Sequence, residues 1–134
     1  MGQIFDDLAN CAAADPQAFW AQTAEDVVWN APPEMILDDR DPPFYQWFVG
    51  GKINGCYNAV DRHVDEGRGA QAAIIYDSPV TETKSVITFA ELQELVAKCA
   101  GMLKAHQVGY GDRVIIYKPM TPSAVIAMLA CARI

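Results

Sequence analysis

Up to about Arg68 the apolar residues come in short stretches broken by proline. Asp15 followed by Pro16 has the form of a helix start, a side-chain acceptor and then a proline whose missing N–H costs nothing. Trp20, Ala24, Val27 and Val28 continue one apolar face until Pro32 and Pro33 stop it. Between Ala31 and Phe44 lie four prolines and the acidic group Asp38, Asp39 and Asp41, a pattern that predicts an irregular strap lying over a larger surface. The aromatic run Phe44 to Phe48 leads into a Gly50-Gly51 turn. After it, Asn58 with Asp61 three positions on predicts a capped short helix running to about Glu66 and stopping near Gly67.

Beyond Arg68 the rhythm changes. Ala72 to Tyr76 is a short apolar run bounded by Asp77-Ser78-Pro79, the pattern of a buried strand, and Val86 to Thr88 is its expected hairpin partner. Thr88-Phe89-Ala90-Glu91 is a capping box, and Leu92, Leu95, Val96, Cys99 and Leu103 follow at helical spacing, predicting an amphipathic helix that covers a sheet. Gly109 to Asp112 forms a turn, Val114 to Tyr117 reads as a second buried strand, and Thr121-Pro122 opens another helix. That helix is apolar on every side from Ala124 to Ala132, which predicts burial between layers, and the chain stops at Ile134 before supplying a cover. The predicted fold class is therefore α/β: a helical and irregular N-terminal segment, residues 1–68, followed by an incomplete β-α-β-α portion, residues 69–134.

Charge narrows the function classes. The net charge of −7 is concentrated in front: Met1 to Glu66 holds 3 Lys/Arg against 12 Asp/Glu, and the remainder holds 7 against 5. A phosphate-tracking surface needs a basic face, so nucleic acid is not expected as a partner. Cys11, Cys56, Cys99 and Cys131 stand singly, and His63 and His106 lie in different segments, so no metal site is expected. Cys11, Cys99 and Cys131 fall among apolar helical residues and read as reduced core thiols. Met1 to Ala14 carries Asp6 and Asp7 but no Lys or Arg, unlike a secretory signal or an Arg-rich transit peptide. No stretch of about 20 uncharged apolar residues offers a membrane span. These features point to the cytoplasm and away from membranes.

Few residues carry a pattern that points to chemistry. Gly50-Gly51 sits beside aromatic residues, and Gly67-x-Gly69 opens no phosphate-type helix. Ser78, Ser85 and Ser123 have no G-x-S-x-G context and read as turn and cap residues. Asp61 and Arg62 are neighbours that do not face each other on a helix, which favours a capping role for Asp61 and a bond to another segment for Arg62. Lys118, just past a predicted strand, reads as a solvated lysine.

The stretch from Phe44 through Trp47, Phe48, Gly50, Gly51 and Asn54 to Asn58, Asp61, Arg62 and His63 resembles the W-F-x-G-G-x-x-N…N-x-x-D-R-H signature of acetyl- and propionyl-CoA synthetases. Ile75 to Thr81, Gly111-Asp112-Arg113-Val114 and Met128 to Ile134 resemble later landmarks of that family in the same order, so the resemblance runs from about Ala18 to the end. Within it, Cys56 to Arg62 and Asp77 to Thr81 look more like the propionyl-CoA synthetases; the sequence departs at Lys118 and at His106-Gln107. The resemblance implies the N-terminal fragment of an adenylate-forming ligase that joins propionate or acetate to CoA through an acyl-adenylate, using ATP, CoA and Mg. It divides the chain into an acetyl-CoA synthetase-type N-terminal region, 1–68, and the truncated start of an AMP-binding domain, 69–134. It also places the reacting groups beyond Ile134, so no catalytic, cofactor-binding or metal residue is assigned here and the chain alone is expected to be inactive. Trp47, Gly50, Gly51, Asn54, Asn58, Asp61, Arg62, Asp112 and Arg113 then read as structural signature residues. The alternative is a free-standing, non-catalytic docking module using the acidic front half.

Overall fold

A computed structural model describes residues Gly2 to Ile134; Met1 lies outside the described residues. The chain divides into two compact units, one ending at Ile53 and the other beginning at Asn54.

The first unit holds helices α1 (Gly2–Ala14) and α2 (Pro16–Ala24) and strands β1 (Met35–Asp38) and β2 (Gln46–Val49). Asp15 starts α2 as its sequence predicts, its Oδ1 accepting the Ala18 N–H at 3.0 Å. The helix is shorter than its apolar face implied. Glu25, Asp26 and Val27 donate back only three residues, and the Trp29 Nε1–H takes the Ala24 carbonyl at 2.8 Å, so Val27 and Val28 fall outside α2. The expected irregular strap is also partly corrected. β1 pairs antiparallel with β2, Leu37 opposite Trp47 and Asp38 opposite Gln46, so the middle of the strap, Met35–Asp38, has its backbone groups in a ladder. The glycine turn forms as expected: Gly50 has φ +77°, and Gly51 N–H donates to Phe48 O at 3.0 Å.

The second unit is built around Cys56, Val60, Leu92, Val96, Ala100 and Ala130. Its first element is a wide helical segment containing π-helical turns at Tyr57–Asp61 and Val64–Arg68, interrupted at Gly67, whose φ of +82° is left-handed. Asn54, not Asn58, caps this segment: its Oδ1 accepts the Tyr57 N–H at 3.0 Å, and Asn58 sits one turn inside, its Nδ2 donating to Asn54 O at 3.2 Å. Asp61 therefore lies too deep in the helix to act as the third residue of a capping box.

Strands β3 (Ala72–Ser78) and β4 (Thr83–Thr88) form the expected antiparallel hairpin, longer than the apolar runs and bulged between Ala72 and Ile74. Thr88 and Glu91 exchange the two bonds of the capping box at the start of helix α3 (Phe89–Ala105). Leu92, Val96 and Ala100 are buried, whereas Leu95 is 38% exposed. This face meets helix α4 (Pro122–Arg133) and the π-helical segment as well as the hairpin.

The second predicted strand is not one. Residues 112–119 have no ladder partner among the described residues, and Ile115 and Tyr117 are 92% and 99% exposed. An apolar run supplies strand propensity, but only a neighbouring strand supplies the hydrogen bonds. α4 begins at Pro122 as predicted; Ala130 is fully buried and Met128 is largely open. The cysteines also distribute differently from expectation. All four are free, but Cys56 is the fully buried thiol, Cys11 is exposed, and Cys99 and Cys131 are half-buried. Cys11 stands on α1, which has no buried residue, so no core surrounds it. Among the described residues no helix is long and apolar enough to cross a membrane.

Candidate functional site

The second unit brings two of its polar signature residues, Asn54 and Asp61, to one place. Arg133, in the last turn of α4, directs Nη2 at both carboxylate oxygens of Asp61, 2.6 Å to each, and its Nε–H at the Cys56 sulfur at 3.4 Å. Gln93 of α3 donates Nε2–H to Asp61 Oδ1 at 2.8 Å, and Cys56 Sγ stands 3.9 Å from Asp61 Oδ2. Asn54 closes the cluster by donating from Nδ2 to the Arg133 carbonyl at 3.3 Å. The Arg133 and Asp61 side chains are only 26% and 15% exposed. Burial disfavours the Arg133 cation, but hydrogen bonds to Cys56 and Asp61 outweigh it and hold the guanidinium above its ordinary range.

Two signature residues, Asn54 and Asp61, thus meet two residues the sequence did not single out, Gln93 and Arg133. Arg133 did carry a signal: it is the one charged side chain in α4, on a helix otherwise apolar or small. The expected capping role of Asp61 is replaced by this ion pair.

The other signature residues stay apart. Trp47 lies on β2, edge-on to Trp20 at 6.0 Å; Trp20 and Trp47 remain 39% and 45% exposed, so they stack without being enclosed. Phe48 is half-buried against Trp29, with ring centroids 5.7 Å apart. A Cβ on Gly51 would stand 2.6 Å from the Trp29 ring, and one on Gly50 would stand 3.3 Å from Glu34. Asp112 accepts the Gly109 N–H at 2.8 Å, closing the turn that holds Gly111 at φ +86°, and Arg113 is exposed. Arg62 is half-buried beside Asp61 in sequence. Lys118 is exposed and donates to Ser123 Oγ at 3.1 Å.

The glycine turn and two cavities present an indole or carboxylates where a nucleoside triphosphate would need cations. The Gly50-Gly51 turn is filled by an indole on one side and flanked by the Glu34 carboxylate on the other. A cavity of about 280 Å³ bounded by Val86, Ile87 and Leu95 is rimmed by Glu91 and Glu94. Another of about 480 Å³, in the first unit, is rimmed by Glu25 and Asp26. Carboxylates repel polyphosphate. Among the described residues no three His, Cys, Asp or Glu gather as metal ligands. What the Asp61–Arg133 cluster can do is hold: its charges and donors are spent on one another, joining the π-helical segment, α3 and the end of α4.

Residues 60–134 match the family described as AMP-binding enzyme, more than half of the chain. The chain belongs to the AMP-binding enzyme family. Residues 5–59 of this family member match a second description, acetyl-coenzyme A synthetase N-terminus. The chain is 52% identical over 123 residues to the rat protein "Acyl-CoA synthetase short-chain family member 3, mitochondrial", covering 92% of this chain and 18% of that protein. It is 49% identical over 124 residues to the acetyl-coenzyme A synthetase of Mycolicibacterium smegmatis, covering 92% of this chain and 13% of that one. Among solved structures, acetoacetyl-CoA synthetase from Streptomyces lividans matches with a TM-score of 0.76 and 34% identity, covering 89% of this chain and 18% of that chain. The chain thus spans less than a fifth of the length of these relatives. Its mixed α/β fold is that of the N-terminal part of an acyl-CoA synthetase.

Proposed function

We propose that this AMP-binding family chain is the N-terminal part of an ATP-dependent short-chain acyl-CoA synthetase, acting on propionate or acetate, and that it serves as scaffold rather than as carrier of reacting groups. In this reading the whole enzyme joins the carboxylate to the α-phosphate of Mg-ATP with release of pyrophosphate, and the CoA thiol then attacks the acyl-adenylate and displaces AMP. Residues 1–68 form its N-terminal region and 69–134 the start of its AMP-binding domain. The observation that carries the scaffold role is the Asp61–Arg133 cluster: the signature carboxylate of Asp61 is engaged by Arg133 and Gln93.

Propionate is favoured by the residues Cys56 to Arg62 and Asp77 to Thr81. The reading includes a cytoplasmic enzyme, set beside mammalian relatives whose names place them in mitochondria.

Pyrophosphate release with ATP, CoA and either acid tests it. The full-length enzyme is expected to turn over, with the higher kcat/KM for propionate. The 134 residues alone, freed of host ligases, are expected to give only the blank rate. Pyrophosphate release by that isolated chain would overturn the scaffold role, and a full-length protein inert toward both acids would overturn the substrate class.

A further inference from the structure

α4 is held on the core by apolar side chains, Ile126, Leu129 and Ala130 among them. Its side chains are apolar or small except for Arg133, and only Ala130 is fully buried. Apolar surface attracts without direction, so such a helix can rotate or slip against α3 at small cost unless a directional contact prevents it. Arg133 supplies that contact twice. Its side chain is gripped by both oxygens of Asp61, and its main-chain carbonyl is gripped by Asn54. Side chain and backbone of one residue are tied to the same π-helical segment, and Gln93 ties the carboxylate to α3.

We propose that Asp61, Arg133, Gln93 and Asn54 are positioning residues for acyl activation: together they set where α4 ends relative to α3 and residues 54–68, and they add little net stability. The inference rests on the synthetase reading above. It follows from the balance of terms in a partly buried ion pair. Taking both charges from water costs about as much as their attraction returns, so an apolar pair of similar volume can stabilise equally well. What the apolar pair does not reproduce is direction. A reacting geometry is sensitive to shifts near 1 Å, which can cost on the order of 100-fold in rate.

The experiment uses the full-length enzyme and reads pyrophosphate release with ATP, CoA and propionate or acetate. Wild type comes first; its failure to turn over would sink the synthetase reading and not this one. The paired variant Asp61→Leu with Arg133→Met then replaces the ion pair by apolar groups. The expected result is a melting temperature within about 2 °C of wild type and a kcat at least about 10-fold lower, measured well below the melt. Arg133→Lys, which keeps the charge and loses the Nε contact to Cys56, is expected to show a smaller kcat loss in the same direction. A paired variant with unchanged kcat would overturn the proposal. So would a paired variant that melts far lower but keeps wild-type kcat per folded molecule, because the cluster would then be a stability element. If the paired variant fails to fold, stability alone has refuted the second half of the proposal, and full kcat in Arg133→Lys would refute the first.

Discussion

Gly51→Ala is a substitution the first unit should tolerate poorly. The new Cβ would stand 2.6 Å from Trp29 Cζ3, 3.2 Å from Cε3 and 2.9 Å from the Phe48 carbonyl oxygen. Carbon atoms rest about 3.5–4.0 Å apart, so the indole must retreat by about 1 Å. That movement stretches the 2.8 Å bond from Trp29 Nε1–H to Ala24 O. The Phe48 carbonyl cannot give way either, because it accepts the Gly51 N–H that closes the turn. Overpacking costs about 1–3 kcal/mol and the lost hydrogen bond about 1 more, giving roughly 2–4 kcal/mol. A unit of this size has only about 3–5 kcal/mol to lose. The three tryptophans, Trp20, Trp29 and Trp47, all precede Ile53, so their emission in a urea titration of the chain reports on the first unit alone. With a slope near about 1 kcal/mol per M, the midpoint should fall by at least about 2 M. Two companions set the scale. Gly50→Ala meets only the flexible Glu34 side chain but inherits φ +77°, a cost of about 1–2 kcal/mol. Gly2→Ala, with nothing within 4 Å, should stay within about 0.5 kcal/mol of the parent. A Gly51→Ala midpoint equal to that of Gly2→Ala would refute the packing of Trp29 over this turn.

Asp61→Ala removes one partner of the ion pair and strands the Arg133 charge, so in thermal unfolding it should cost about 3 kcal/mol, unlike the paired apolar variant. Trp47→Ala should cost about 2 kcal/mol, below the range for an enclosed tryptophan, because the ring is 45% exposed; lost activity at an unchanged melting temperature would instead mark a ligand site. The Arg40 guanidinium and backbone N–H beside Asp38 hold its carboxyl at about 2, down from 3.8, so whatever this pair contributes is present above pH 3.8 and lost as pH falls through about 2; an NMR titration with a midpoint near 4 would contradict the contact. With Tyr110, Ile115, Tyr117 and Met120 each at least 90% exposed, the 134-residue chain should bind a dye that reports apolar surface and should self-associate; a sharp monomer peak on size exclusion without dye binding would disprove this.

The elements legible from sequence were those decided within one turn of chain. The Thr88–Glu91 capping box, the Asp15-Pro16 start, the Gly50 turn and the left-handed Gly67 each depend on neighbours three residues away or fewer. The cap expected at Asn58 is in fact made one turn earlier by Asn54; the acid three positions after Asn58 favoured the wrong residue. Contacts between distant residues left no such trace. β1 was hidden among prolines because its ladder partner lies beyond Pro42 and Pro43, and residues 114–117 looked like a strand because a continuous apolar, β-branched run carries strand propensity without a pairing partner. The Asp61–Arg133 pair spans 72 residues, and no periodicity connects them.

That long contact also bears on why a motif rich in polar residues can look like an active site and act as a joint. Asp61 Oδ1 accepts from Arg133 and Gln93, and Oδ2 accepts from Arg133 with the Cys56 thiol beside it. Asn54 accepts from Tyr57 through its side-chain oxygen, donates to the Arg133 carbonyl through its amide, and accepts from Asn58 through its own carbonyl. Both carboxylate oxygens of Asp61 and both side-chain polar atoms of Asn54 already have partners inside the second unit. A substrate could bind them only by breaking bonds that hold three elements together, and a buried group stripped of its partner costs about 1–3 kcal/mol. Substitutions at Asn54 or Asp61 should therefore alter activity through the placement of α4 and not through lost substrate contacts, which predicts a fall in kcat with little change in KM.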